Sequence, residues 1–321
     1  MESSQKNRVE GTQMFSNILV PMDGSDIAEC VLPYVERLVT GSKPAKVTFL
    51  YVVQPLDVPM TDIEFRARIE SEARTAAEGY LNDLIARLDY KDNAKGDVVL
   101  GKPAESIFDY SSQNKMGLII MATHGLSGIS RWVHGSVAEK VLHEAEVPVW
   151  LIRANVPQKR INGRKKKITM LVPLDGSELA EKVLPPVKSL AEQFNIPVVE
   201  ITLARVYEMF MPPYHYPPQA SLSWEEYMTY EKKRCRDICH TYLSGIAEDL
   251  RKEGFTVHVK VLDGNPAESL IEYDNKSNFD LIVMSTHGRT GISKWAMGSI
   301  ADKVLKGANS PVFLLRSKGR D

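Results

Sequence analysis

The chain has 321 residues, of which 43% are apolar and 25% charged, and carries a formal net charge of −1. That length accommodates two domains of ordinary size, and the near-neutral balance supplies neither a broad basic face for nucleic acid nor a charged surface for a membrane. No apolar run reaches the roughly 18 residues of a membrane span, the opening MESSQKNRVEGTQ lacks the apolar core of an export signal, and 3 cysteines are too few for a disulfide framework. A cytoplasmic protein is expected.

In chain order, residues 18–20 and 47–53 are β-rich, and 27–39 between them carries apolar residues at helical spacing. Residues 64–88 form a long amphipathic pattern, with Ile69, Ala73, Ala76, Ala77, Tyr80, Leu81, Leu84, Ile85 and Leu88 on one stripe. A short strand at 98–100 precedes a helix opened by Pro103. Residues 118–121 are apolar throughout, as in a strand buried on both faces, followed by a helix from 137 to 142 and a strand at 147–152. The second half predicts elements at 168–172, 179–194, 198–206, 224–250, 257–262, 267–275, 281–284, 300–305 and 312–315 in the same order. Five strands alternating with four helices in each half imply a mostly parallel sheet between helical layers.

The halves also repeat in their letters. Val20-Pro21-Met22-Asp23-Gly24-Ser25 returns 152 residues later as Val172-Pro173-Leu174-Asp175-Gly176-Ser177. Gly101-Lys102-Pro103-Ala104-Glu105 returns as Gly264-Asn265-Pro266-Ala267-Glu268, now 163 residues later, so the second copy has gained 11 residues before Gly264. Thr123-His124-Gly125, nine residues, Gly135-Ser136 returns as Thr286-His287-Gly288, nine residues, Gly298-Ser299. A period of about 155 residues is the size of a domain, too long for a solenoid unit. The division is an arm at 1–14, a domain at 15–154, a basic linker at 155–166 and a second domain at 167–317. The Pro- and aromatic-rich stretch 207–220 sits where the extra residues must lie; a lid or contact patch and a stiff loop over the sheet edge both remain open for it.

Two constellations carry chemistry. In 118–142 a buried strand runs into a Gly-containing loop, and Gly135-Ser136 opens a helix. Such a helix start points unpaired N–H groups at the positive end of its dipole, while glycine admits an anion close to the backbone. The alternative is a surface turn with Ser136 as an ordinary N-cap. Asp23 and Asp175 stand at the carboxyl end of the first strand of each copy, where open α/β sheets bind ligands; capping the next helix is the alternative.

With these residues each half resembles a universal stress protein domain of the subgroup carrying the G-x-x-G-nine-G-S/T nucleotide motif. The matches are VPxDGS, GxPAES, the THG loop with its spacing to GS, and the final strands at 148–153 and 311–316. They cover nearly the whole chain apart from the arm, the linker and the insertion. The resemblance implies two tandem Rossmann-like α/β domains of the adenine nucleotide alpha hydrolase-like kind. Each would hold a five-stranded parallel sheet of order 3-2-1-4-5 with ATP at its carboxyl edge and Mg2+ carried through the phosphates. Pairing through strand five would make the copies an internal pseudo-dimer, with a homodimer of whole chains also open.

The implied nucleotide residues are Pro21, Asp23, Val52, Met121, Ala122, Gly125, Gly135, Ser136 and Val137 in the first copy. In the second they are Pro173, Asp175, Val206, Met284, Ser285, Gly288, Arg289, Gly298, Ser299 and Ile300. The motif's first Gly is Ala122 in one copy and Ser285 in the other, so any need for positive φ there weakens the site. Arg289, opposite Leu126 of the first copy, implies tighter phosphate binding in the second site. No metal-ligating set is expected, and ordinary packing is expected for Cys235, Cys239 and His240.

No G-x-x-x-x-G-K-S/T motif delivers a lysine to the phosphates, and no second acid is placed to polarise a water. An ATP-binding stress sensor or regulator is therefore expected rather than a fast hydrolase, with no nucleic-acid or membrane partner. A nucleotide-free interaction or chaperone-like module, and a slow ATPase or self-phosphorylating protein, are the rival readings.

Overall fold

The computed structural model describes residues 14–43, 45–55, 63–123, 136–154, 167–209, 223–286 and 297–316. The first half comprises β1 (Asn17–Met22), α1 (Leu32–Val39), β2 (Lys46–Val53), α2 (Ile63–Ala86), β3 (Ala94–Leu100), α3 (Pro103–Gln113), β4 (Leu118–Ala122), α4 (Ser136–Glu144) and β5 (Val149–Ile152). The second comprises β6 (Ile168–Pro173), the single turn α5 (Glu178–Glu181), α6 (Leu184–Phe194), β7 (Val199–Tyr207), α7 (Trp224–Lys252), β8 (Thr256–Asp263), α8 (Pro266–Ser277), β9 (Leu281–Ser285), α9 (Ser299–Gly307) and β10 (Val312–Leu315).

The expected first helix of each half is divided in two. A 3-10 turn at Ala28–Val31 precedes α1, whose first turn holds Pro33, and α5 precedes α6, whose first turn holds Pro185 and Pro186. Proline has no N–H and disfavours the helical conformation in the residue before it, so the helix restarts at each proline. β3 begins at Ala94, not at 98; the added residues, Ala94, Lys95, Gly96 and Asp97, lie partly or fully exposed on an outer strand and so form no apolar run.

All ten strands form one sheet, in the order β3-β2-β1-β4-β5-β10-β9-β6-β7-β8. Within each half the order is 3-2-1-4-5 and every pairing is parallel. β5 and β10 pair antiparallel, with Phe313 opposite Trp150, and join the two sheets. The alternation of strand side chains separates two core layers. Ile18, Val20 and Phe49 face one helical layer and Leu19, Leu50 and Ile119 the other, and both layers continue through the junction.

The seam is aromatic on one face. Trp150 meets Tyr34 at 5.7 Å and Phe194 at 6.3 Å between ring centroids, and Phe15 meets Phe313 at 5.9 Å, all edge-to-face. The arginines that end the last strands cross it reciprocally. Arg153 Nη1 donates to the carbonyl of Ala308 beyond α9 at 2.5 Å, and Arg316 Nη1 to that of Glu144 in α4 at 3.1 Å. Each puts a cation at the negative end of the other half's helix.

Strand pairing also opens the cavities. β1 stays in register with β2 from Asn17 to Met22 but with β4 only at Ile18 and Leu19. Likewise β6 follows β7 from Ile168 to Pro173 but β9 only at Met170 and Leu171. The central strands therefore part toward their carboxyl ends, at the point where the strand order reverses.

Candidate functional site

Each parting holds a cavity. In the first half it measures about 780 Å³ and is lined by Pro21, Asp23, Tyr51, Val52, Tyr80, Met121, Ala122, Ser136 and Val137, among others. In the second it measures about 520 Å³, with Pro173, Asp175, Arg205, Val206, Met284, Ser285, Gly298, Ser299 and Ile300 among its walls. All the motif residues that lie within the described parts are thus brought together, half by half. Gly125, Gly135, Gly288 and Arg289 lie outside the described residues.

The Asp-Gly-Ser turn has the same hydrogen bonds twice. Asp23 Oδ1 accepts from the Ser25 amide at 3.0 Å and its hydroxyl at 2.6 Å; Asp175 Oδ1 accepts from the corresponding groups of Ser177 at 2.9 and 2.6 Å. Each serine then caps the following turn, Ser25 Oγ accepting from the Ala28 amide and Ser177 Oγ from the Ala180 amide. The serine is the cap and the aspartate orients it. Between them Gly24 and Gly176 have φ of +80° and +88°, in the left-handed region that favours glycine.

At the opposite wall, Ala122 and Ser285 end β4 and β9 as buried strand residues, and neither has positive φ. The motif's missing first glycine therefore costs the backbone nothing. Ser136 and Ser299 are the first residues of α4 and α9, not caps; Gly298 is the N-cap of α9 and has no side chain to satisfy its amides. The amides of Thr123 and Thr286 are tied to Ile152 and Leu315 on the last strands, each at 2.9 Å.

The roof of each cavity was not foreseen. In the first half Tyr51 leans on Tyr80 of α2 at 6.1 Å and donates to the Asp23 carbonyl at 3.3 Å. The Tyr80 hydroxyl donates to Glu29 Oε1 at 3.1 Å, which also takes Arg87 at 2.5 Å. In the second half Tyr242 donates to Glu181 Oε1 at 2.8 Å, the equivalent contact, but Arg205 replaces Tyr51 and places its guanidinium 4.7 Å from the Tyr242 ring centre. Burial and the neighbouring Glu29 and Glu181 push the Tyr80 and Tyr242 phenols well above their usual range, so both remain donors. Cys235, Ile238 and Cys239 of α7 complete the second roof, where Ala73, Ala76 and Ala77 stand in the first. One signal was present: aligning the copies at Pro21 and Pro173 through the strand register sets Tyr51 against Arg205.

Among the described residues no group of three or more His, Cys, Asp or Glu is placed to hold a metal, and no helix is long and apolar enough to cross a membrane.

Fold and cavities together define a duplicated open α/β protein with one strand-end pocket in each copy. The universal stress protein family model matches residues 14–153 and 169–316, and the chain belongs to that family. A universal stress protein of Mycolicibacterium smegmatis is 22% identical over 308 residues, covering 94% of this chain and 97% of its own. One from Methanocaldococcus jannaschii is 28% identical over 160 residues, covering 50% of this chain and 88% of its own. The crystal structure of a universal stress protein from Archaeoglobus fulgidus superposes with a TM-score of 0.67 at 21% identity, covering 95% of this chain and 99% of that one. It shares the fold across both halves.

Proposed function

We propose that each half binds an adenine nucleotide, ATP, in its strand-end cavity, and that occupancy of the pair is the signal this stress protein passes on. The observation that carries the reading is the duplicated convergence of the motif: Asp23, Val52, Ala122 and Ser136 line one cavity as Asp175, Val206, Ser285 and Ser299 line the other. Volumes of about 780 and 520 Å³ lie in the range of small-molecule sites.

In this reading the amides opening α4 and α9 receive the phosphates, with the Ser136 and Ser299 hydroxyls beside them. Val52 and Val206, at the ends of β2 and β7, flank the base, and the Asp23 and Asp175 carboxylates hold the ribose end. Gly125, Gly135, Gly288 and Arg289 complete the phosphate contacts. Mg2+ arrives on the phosphates, since the described walls supply no ligand set of their own. Donor groups of this number support binding of roughly micromolar strength.

Calorimetry on the full chain stripped of nucleotide tests the proposal. Two equivalents of ATP should bind, whereas absence of heat with ATP, with and without magnesium, overturns it. Identifying the nucleotide released from freshly purified, denatured protein adds a second readout. ATP supports a binder whose occupancy signals, and ADP or AMP indicates turnover.

A further inference from the structure

Arg205 is the largest chemical difference between the two cavities. Its guanidinium lies over the Tyr242 ring at 4.7 Å and packs so tightly on Gly176 that a Cβ there would come within 2.9 Å of both Nη atoms. Tyr51 holds the matching place in the first half, 3.5 Å from a Cβ built on Gly24. The guanidinium is therefore fixed flat against its neighbours. Yet among the described residues it donates no hydrogen bond and forms no ion pair, and it lines the cavity. Five N–H donors in a rigid fork, half-buried and unspent, suit a planar or tetrahedral anion taken edge-on.

The remaining charges in this wall do not consume it. Asp175 Oδ1 is bound to Ser177, Glu181 accepts from Tyr242, and Glu208, also in the lining, is exposed. The first half keeps its nearby cation elsewhere, with Arg87 paired to Glu29 outside the cavity lining.

The position of Arg205 sets what the anion must belong to. Ala204 faces the layer that holds α9, so Arg205, the next residue on β7, faces the other side of the sheet, where α7 lies. The start of α9 follows β9, and β6 separates β9 from β7. Two strand spacings, about 10 Å at the backbone less the reach of the side chain, divide the two anion-attracting features. A ligand that uses both crosses the strand ends and carries negative charge at each end.

We propose that the second cavity is selective for a nucleotide phosphorylated on its ribose hydroxyl as well as at its 5′ end, with Arg205 gripping the ribose phosphate, while the first cavity takes nucleotides with a single anionic end. This rests on the reading of both cavities as nucleotide sites. The test uses the full chain, stripped of ligand, in calorimetric titrations with adenosine 5′-monophosphate, adenosine 3′,5′-bisphosphate and adenosine 2′,5′-bisphosphate.

The expected result is that the monophosphate fills two sites, and that one bisphosphate gains about tenfold or more at one site only. Arg205→Tyr should erase that gain, so that the second site of the variant holds the bisphosphates no more tightly than the monophosphate. Tyr51→Arg should create it in the first site, which keeps the test decisive if Arg205→Tyr disturbs folding. Arg205→Lys, with the charge but not the fork, should retain only part of it. Equal binding of the mono- and bisphosphates at both sites overturns the selectivity while leaving the nucleotide reading in place. A gain that survives Arg205→Tyr assigns it to another group and also overturns the proposal. Failure of all three ligands to bind overturns the selectivity proposal, and ATP titrated into the same protein decides separately whether the nucleotide reading falls with it.

Discussion

The two cavities share a floor and differ in their roofs. The strand ends and the Asp-Gly-Ser turn recur, the turn with hydrogen bonds matching to within about a tenth of an ångström. The roofs keep one contact, Tyr80 to Glu29 and Tyr242 to Glu181, and otherwise differ: α2 offers alanines where α7 offers Cys235, Ile238 and Cys239, and at the strand ends beneath them Arg205 stands in for Tyr51. The floor is built from short-range contacts inside a sheet, where a shift of one residue would turn every side chain to the wrong face. The roof is built by a helix reached through a long connection and by one strand side chain, Tyr51 or Arg205, turned toward that helix, so its lining changes without disturbing register.

If this division is right, the largest effect should come from what the halves share. Trp150→Ala removes the aromatic centre of the seam and should cost about 3–5 kcal/mol in chemical denaturation, weakening nucleotide binding at both sites together. Loss confined to one site would show that the halves fold independently of the seam.

The next effect should be local. Asp23→Ala and Asp175→Ala each release the serine that caps the following turn, a cost of about 1 kcal/mol. Each should weaken binding by about tenfold, and only in its own half. Calorimetry on the two variants separates this from a shared loss.

A smaller and sharper contrast lies in the turn glycines. Alanine at Gly24 or Gly176 meets the same left-handed backbone penalty of about 1 kcal/mol. At Gly176 the new Cβ also meets the guanidinium of Arg205 at 2.9 Å, whereas at Gly24 it finds the Tyr51 ring at an ordinary 3.5 Å. Gly176→Ala should therefore be the more damaging, and Arg205→Tyr should bring the two costs together.

The smallest expected change is chemical and leaves stability alone. Burial pushes the Cys30 thiol up to about 12, so it stays protonated and unreactive at pH 8 in the folded state. Cys235 is half-exposed and lines the second cavity. A thiol reagent should modify Cys235 first, more slowly when nucleotide is present, and should reach Cys30 only on unfolding. Mass spectrometry of the modified peptides reads both.

These contrasts also mark what was legible in the sequence. The alternation of apolar runs and helical stripes foretold the strand succession, because buried parallel strands such as β4 and β9 are apolar at nearly every position. The helix breaks before Pro33 and Pro185 were missed, since the apolar spacing continues through them and only the proline ring interrupts the backbone. In the cavities, the strand-end residues were visible because turn chemistry is local: glycine, aspartate and serine advertise it. Tyr80, Cys235 and Ile238 were not, because which face of α2 or α7 turns toward the strand ends is decided by packing across segments far apart in the chain. Arg205 lay between these cases, readable only by setting one copy against the other.

The antiparallel seam between β5 and β10 has a consequence for how such a molecule diversifies. In a symmetric pair of identical chains, every substitution is made twice and must suit both positions. Here the partners are written separately in one polypeptide, so Arg205 arises opposite Tyr51 without an arginine being forced into the other pocket. Covalent linkage also holds the partners at one-to-one ratio at any dilution. Duplication has turned an obligatory symmetry into an optional one, leaving each pocket open to separate selection.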